Sequence, residues 1–101
     1  MELQELMDKI QKWSDEQFDN GRFNRERSLP IAYHLDKEKK ELIEQLGRNF
    51  DKTRNAYKIH DWAVYDELVD CFMLILDCAT HFGLDSEELI KLTGSKLKVN
   101  E

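Results

Sequence analysis

Residues 61–82 read DWAVYDELVDCFMLILDCATHF. Trp62, Ala63, Val64, Tyr65, Leu68, Val69, Phe72, Met73, Leu74, Ile75, Leu76, Ala79 and Phe82 leave almost no wet face if this stretch is helical. A helix that is apolar nearly all round is expected to be buried on most of its sides. Four carboxylates nonetheless sit in it, Asp66, Glu67, Asp70 and Asp77. An isolated buried carboxylate is so costly that it protonates, pairs with a cation or binds a metal. Gly83 follows at the position of a left-handed helix terminator.

Working outward, apolar spacing predicts three more helices. One runs from about Leu3 to Phe18, with Leu3, Leu6, Ile10, Trp13 and Phe18 as its apolar members, and Asp19, Asn20 and Gly21 break it. A second starts near Ser28, read as its cap, with Pro30 tolerated in the first turn. Its apolar set is Ile31, Leu35, Leu42, Ile43 and Leu46, and Gly47 lies at or near its end. A polar connection, Asn49 to Lys58, leads into residues 61–82. The last helix has the clearest start: Asp85 as cap, answered three residues on by Glu88, with an end near Asn100. The expected fold class is therefore all-α, a bundle of about four helices in a single domain spanning residues 1–101.

Bulk properties narrow the function classes. At 101 residues the chain buries only a modest core, and oligomerisation would bury more. A formal net charge of −6 and a pI near 5.1 disfavour charge-driven binding to nucleic acid. No apolar run approaches the ~20 residues of a membrane span, and the N-terminus lacks a basic segment followed by an apolar one, so neither membrane nor secretory signal is expected. Cys71 and Cys78, seven apart on one helix, lie about 10 Å apart along its axis. That exceeds disulfide reach and predicts reduced thiols in a cytosolic protein.

The chemistry-bearing pattern is a double one. Glu38-Lys39-Lys40-Glu41 is an E-x-x-E and Glu67-Leu68-Val69-Asp70 an E-x-x-D. Residues three apart share a helix face, so each pair can present oxygens to one hard cation. Four carboxylates without imidazole or thiolate suit Mg²⁺ or Mn²⁺ rather than zinc. A di-iron carboxylate bundle would need Glu-x-x-His motifs, and the sequence contains none.

Residues 34–46, HLDKEKKELIEQL, and 66–100, DELVDCFMLILDCATHFGLDSEELIKLTGSKLKVN, resemble the MazG-like nucleoside triphosphate pyrophosphohydrolases in motif order and spacing. The nearest branch is that of dATP/dGTP pyrophosphohydrolases, many of them phage-encoded. The resemblance covers about two-thirds of the chain. It implies hydrolysis of purine deoxynucleoside triphosphates to monophosphate and pyrophosphate, with Mg²⁺ (Mn²⁺ substituting) held by Glu38, Glu41, Glu67 and Asp70. Glu38 or Glu41 would orient or deprotonate the attacking water. Lys96 matches a residue near the phosphates and Asn100 one near the substrate. Trp13, Gln17 and Phe18 match a first helix that helps line the nucleoside pocket. A homodimer or homotetramer in the cytoplasm of a bacterium or a phage-infected host is the implied setting. The family often continues past its final Asn with another basic residue, whereas this sequence stops at Glu101. That ending implies weaker turnover or affinity, or a charge supplied by a neighbouring subunit.

Several residues keep two readings. His34, four before Glu38, either faces the site or is structural. Asp77 either orients a ligand from behind or pairs within the fold. Trp13 either stacks on a base or joins the core. Arg22, Arg25 and Arg27 in the basic loop GRFNRERS, residues 21–28, either close over a triphosphate or are solvated. His60 and His81 carry no expected role. The alternative to an enzyme is a catalytically inactive or non-enzymatic helical interaction module.

Overall fold

The computed structural model describes residues 1–18, 25–49 and 61–100. Among these the chain is all-helical: α1 (Leu3–Phe18), a 3-10 turn (Arg25–Arg27), α2 (Ser28–Asn49), α3 (Asp61–Phe82) and α4 (Ser86–Asn100). The expected breaker Asp19-Asn20-Gly21, Arg22, most of the connection after α2, His60 and the Asn100 side chain lie outside the described residues. None of the helices is long and apolar enough to cross a membrane.

Local chemistry accounts for most of the helix ends. Gly83 has φ 107°, a conformation that costs a side-chain-bearing residue strain. Gly83 N–H donates to Thr80 C=O at 3.1 Å and Leu84 N–H to Ala79 C=O at 2.9 Å, the paired bonds of a Schellman stop. Asp85 Oδ1 then accepts the Glu88 N–H at 2.9 Å and caps α4. Gln4 Oε1 takes the Ser86 N–H at 2.7 Å, which ties α4 to the start of α1.

The start of α2 differs from expectation. Ser28 is not its cap: the hydroxyl is buried with no hydrogen-bond partner. The helix continues directly from the 3-10 turn. At the other end Gly47 lies inside the last turn, two residues before Asn49.

α2 and α3 pack side by side and antiparallel. Ser28 C=O at the start of α2 meets Cys78 Sγ near the end of α3 at 3.8 Å, while Glu38 reaches Glu67 and Asp70 at mid-length. Across the base of α3 lies α1, burying Met7 and Ile10 against Leu76, with Leu3, Leu6, Met73, Ala79 and Leu89 around them. Trp13 and Phe18, read as apolar members of α1, are about half exposed.

The expectation that α3 is buried on most sides is not met within one chain. Tyr65, Leu68, Val69, Phe72 and Ile75 stay roughly half exposed and Trp62 largely so. One layer of helices can cover one side of α3 only. The radius of gyration, 16.1 Å, exceeds the ~13 Å of a compact domain of this length.

Candidate metal centre and adjoining groove

Helical spacing sets Glu38 and Glu41 one turn apart on α2, and Glu67 and Asp70 one turn apart on α3. The antiparallel register brings the two pairs face to face. One oxygen each from Glu38, Glu67 and Asp70 lies within 4.8 Å of the others. Glu41 lies in hydrogen-bond reach of Glu38 but outside that group of three.

Carboxylates facing carboxylates lack donors. Glu38 Oε2 and Glu67 Oε2 are buried without a hydrogen-bond partner. A shared proton, a cation or a water satisfies such oxygens. Oxygens bound to one Mg²⁺ lie up to ~4.2 Å apart, twice the 2.0–2.1 Å bond, so small side-chain rotations would close the group of three on an ion. The donor set is hard oxygen throughout, which fits Mg²⁺ or Mn²⁺ and supplies nothing that favours zinc. His34 Nε2 stands 3.2 Å from Glu38 Oε1, so its ring borders the cluster.

Crowding moves the protons. Burial, then the proximity of Glu38 and the charges of Glu41 and Asp70, push Glu67 from 4.5 up to about 7. Asp70 is raised by burial and by the charges of Glu38 and Asp66. Glu41 is raised by sharing a hydrogen bond with Glu38. Burial also works to raise Glu38, but the hydrogen bonds it accepts from Glu41 and Glu67, with His34 beside it, hold it below the ordinary value. Burial and the same four carboxylates raise the Cys71 thiol, which argues against a reactive thiolate there.

A stability consequence follows. Glu67 has a higher pKa folded than unfolded, so its contribution is present below about pH 4.5 and lost as pH rises through about 7. Asp70 and Glu41 act in the same direction, Glu38 in the opposite one. The metal-free protein is therefore expected to lose melting temperature between pH 5 and pH 8, and millimolar Mg²⁺ to restore it at the upper end. Calorimetric melts with and without chelator check this. A flat profile, or no response to Mg²⁺ at pH 8, would mean that the carboxylates do not share one ion.

Beside the cluster lies a cavity of about 140 Å³ bounded by His34, Glu38, Asp70 and the apolar Ile10 and Met73. It shares Trp13, His34, Leu74 and Asp77 with a second cavity of about 300 Å³, walled further by Phe18, Arg27, Pro30 and Ile31. The two adjoin through these shared residues as one groove, with Glu38 and Asp70 lining the first part and Arg27 the second. Trp13 and Phe18 meet edge to face, ring centroids 6.5 Å apart, on the wall of the second cavity. Of the aromatics and polar groups expected around a ligand, the structure gathers Trp13, Phe18 and His34 along this groove. Gln17 is exposed and lines neither cavity.

Lys96 is not brought to this site. It is exposed on α4, and no residue of α4 lines either cavity. The physical reason is the capping geometry at Gly83 and Asp85, which sends α4 back across the start of α1, toward Leu3 and Leu6.

Asp77 turns out to be the hub of a buried polar network. Its Oδ2 accepts from Ser14 Oγ at 2.7 Å, and Ser14 Oγ accepts from Arg27 Nη2 at 3.0 Å. His81, fully buried, holds Nδ1 2.9 Å from Asp77 C=O and 3.0 Å from its Oδ1, with Nε2 3.4 Å from Asp15 Oδ1. The network ties α1, the 3-10 turn and α3 together. It gives Asp77 its structural role and sets Arg27 apart from Arg25. Arg27 is 8% exposed, whereas Arg25 stays outside, its guanidinium 4.1 Å from the Phe82 ring centroid. Ser14 and His81 were invisible as site-builders from sequence. The one available signal was Ser14 falling four after Ile10, on the stripe that Met7 and Ile10 bury.

No family model, no curated protein and no solved structure matches this chain.

Proposed function

We propose that the chain is a Mg²⁺-dependent nucleoside triphosphate pyrophosphohydrolase of the MazG-like kind, converting purine deoxynucleoside triphosphates such as dATP and dGTP to monophosphate and pyrophosphate. The observation that carries this reading is the interhelical carboxylate cluster, with its two orphaned oxygens, opening onto a groove walled by aromatic and apolar side chains. Glu38, Glu67 and Asp70, with Glu41 at the margin, would hold the ion. A bound Mg²⁺ supplies charge neutralisation on the phosphates and a more acidic water. Glu41, outside the group of three, would be the carboxylate left to take a proton from water. His34, against Glu38 and on the groove wall, would fix the orientation of Glu38 and border the α-phosphate. The net charge of −6 repels a free triphosphate, so the substrate is expected to arrive as its metal complex.

The test is pyrophosphate release from a panel of dNTPs and NTPs with Mg²⁺ or Mn²⁺. Metal-dependent formation of monophosphate and pyrophosphate supports the reading. No hydrolysis with either metal would overturn it in favour of a helical interaction module, a reading that the uncovered apolar side of α3 favours.

The same face motivates a homo-oligomer. Leu68, Val69, Phe72 and Ile75 make a stripe on α3 with half their surface open, and a stripe of this kind marks an association site. A second copy of α3 is its simplest cover. The particle is expected to sediment as a multiple of 12.1 kDa, and Val69→Asp to shift it toward the monomer. A wild-type monomer at micromolar concentration would end this idea.

A further inference from the structure

On the homo-oligomer reading just given, we propose that the cleft between α3 and α4 seats α3 of a second copy. Each α3 is then clamped between α3 and α4 of the other copy, and α4 is the part of the interface that the α3 stripe lacks. α4 is anchored at its start, where Gln4 takes the Ser86 N–H and Leu89 packs on the core. Beyond that, every residue from Ile90 to Val99 is exposed. A 15-residue helix with a glycine in its middle is marginal in water unless one of its faces is covered.

One face is shaped for cover. Ile90, Gly94 and Leu97 share a side of α4, and with Phe72 and Leu76 of α3 they line a cleft of about 420 Å³. Ile90 and Leu97 are each 60% exposed, and Phe72, which also belongs to the α3 stripe, is 47% exposed. Cleft and stripe are therefore one continuous apolar surface. The four half-open side chains of the stripe offer only on the order of a few hundred Å², against the ~800 Å² per partner of a stable interface. The α4 wall supplies apolar area toward the remainder.

Gly94 sets how near a partner can come. Apart from its own stretch of helix, no atom of the described residues lies within 4 Å of the point where a side chain on Gly94 would begin. Packing within one copy therefore does not require glycine there, and glycine weakens a helix interior. A second helix crossing at this point does require it, because bare backbone permits close approach.

Charge selects the occupant. Residues 91–99 carry Lys91, Lys96 and Lys98 and no acidic residue, in a chain of net charge −6. Lys91 and Lys98, seven apart, run along one edge of the cleft face. The α3 stripe has acidic borders instead, Asp61 four before Tyr65 and Asp66 three before Val69. A second α4 in the cleft would set lysines against lysines. A second α3 sets its acids against them, and the two-fold arrangement repeats the match on both sides.

Sedimentation of wild type, Gly94→Leu, the double variant Lys91→Glu/Lys98→Glu and Val69→Asp over micromolar concentrations tests this. Gly94→Leu should keep its helix content by circular dichroism, because leucine favours a helix and meets open space in the single copy. It should nonetheless weaken self-association about 10- to 100-fold by overfilling the cleft. The double charge reversal should weaken it at least about tenfold at low salt and less at high salt, because it sets acid against acid. Association as tight as wild type in either variant would overturn the proposal. If Val69→Asp dissociates the particle while Gly94→Leu does not, the stripe is an interface and the cleft is not its other half. A wild-type monomer would end both ideas.

Discussion

Glu67→Gln is expected to lower Mg²⁺-dependent pyrophosphate release at least a hundredfold, about 2.7 kcal/mol of transition-state stabilisation. Glu67 is the member of the group of three pressed hardest by its neighbours, with a pKa near 7 and a buried Oε2 that nothing satisfies. The amide keeps the shape and removes the charge a divalent ion requires. The same change removes a mutual repulsion, so the metal-free variant is expected to melt no lower than wild type at pH 8, and Mg²⁺ to raise its melting temperature less. The two readouts separate a lost ligand from a damaged fold. Near-wild-type release by Glu67→Gln would sink the assignment of this cluster as the metal centre.

Asp77→Ala is expected to be the most destabilising single change at a polar position. It strips the acceptor from Ser14, removes the carboxylate from fully buried His81, which keeps the residue-77 carbonyl and Asp15, and loosens Arg27 through Ser14. Breaking a buried charged network from one side costs about 3–5 kcal/mol. For a domain of this size each kcal/mol is worth roughly 4–8 °C, so the melting temperature should fall by at least about 12 °C. Such a loss takes a large share of a typical total of 5–15 kcal/mol. Asp77→Asn, which preserves shape and one acceptor oxygen, should lose distinctly less. Because Asp77 stands outside the carboxylate group, Mg²⁺ should still raise the melting temperature of Asp77→Asn. Thermal melts decide it: a loss under about 1 kcal/mol for Asp77→Ala would show that the network contributes little.

Helix identity was legible in the sequence because it rests on local rules. Periodicity located α1 and α3 to the residue, and Gly83 and Asp85 ended one helix and began the next through bonds within a single turn. The carboxylate pairs were equally legible, since a spacing of three fixes a shared face whatever surrounds it. Ser28 is the instructive failure. A serine before a helical pattern is a sound cap signal, but the preceding residues form a 3-10 turn, which a three-residue window does not announce.

What only the tertiary structure decided is which faces meet. The register of α2 against α3 joins Glu38 to Glu67 and Asp70 and leaves Glu41 outside that group, a ranking that four equivalent motif positions do not contain. Packing of α1 across α3 turned Asp77 from a residue with two readings into the hub of a buried network, and set Arg27 apart from Arg25. It also left Lys96 away from the carboxylates. Local hydrogen bonding and side-chain periodicity act over a few residues and can be read along the chain. Burial and the pairing of charges between helices depend on how rods separated by tens of residues dock, and that information lies in the fit of their surfaces.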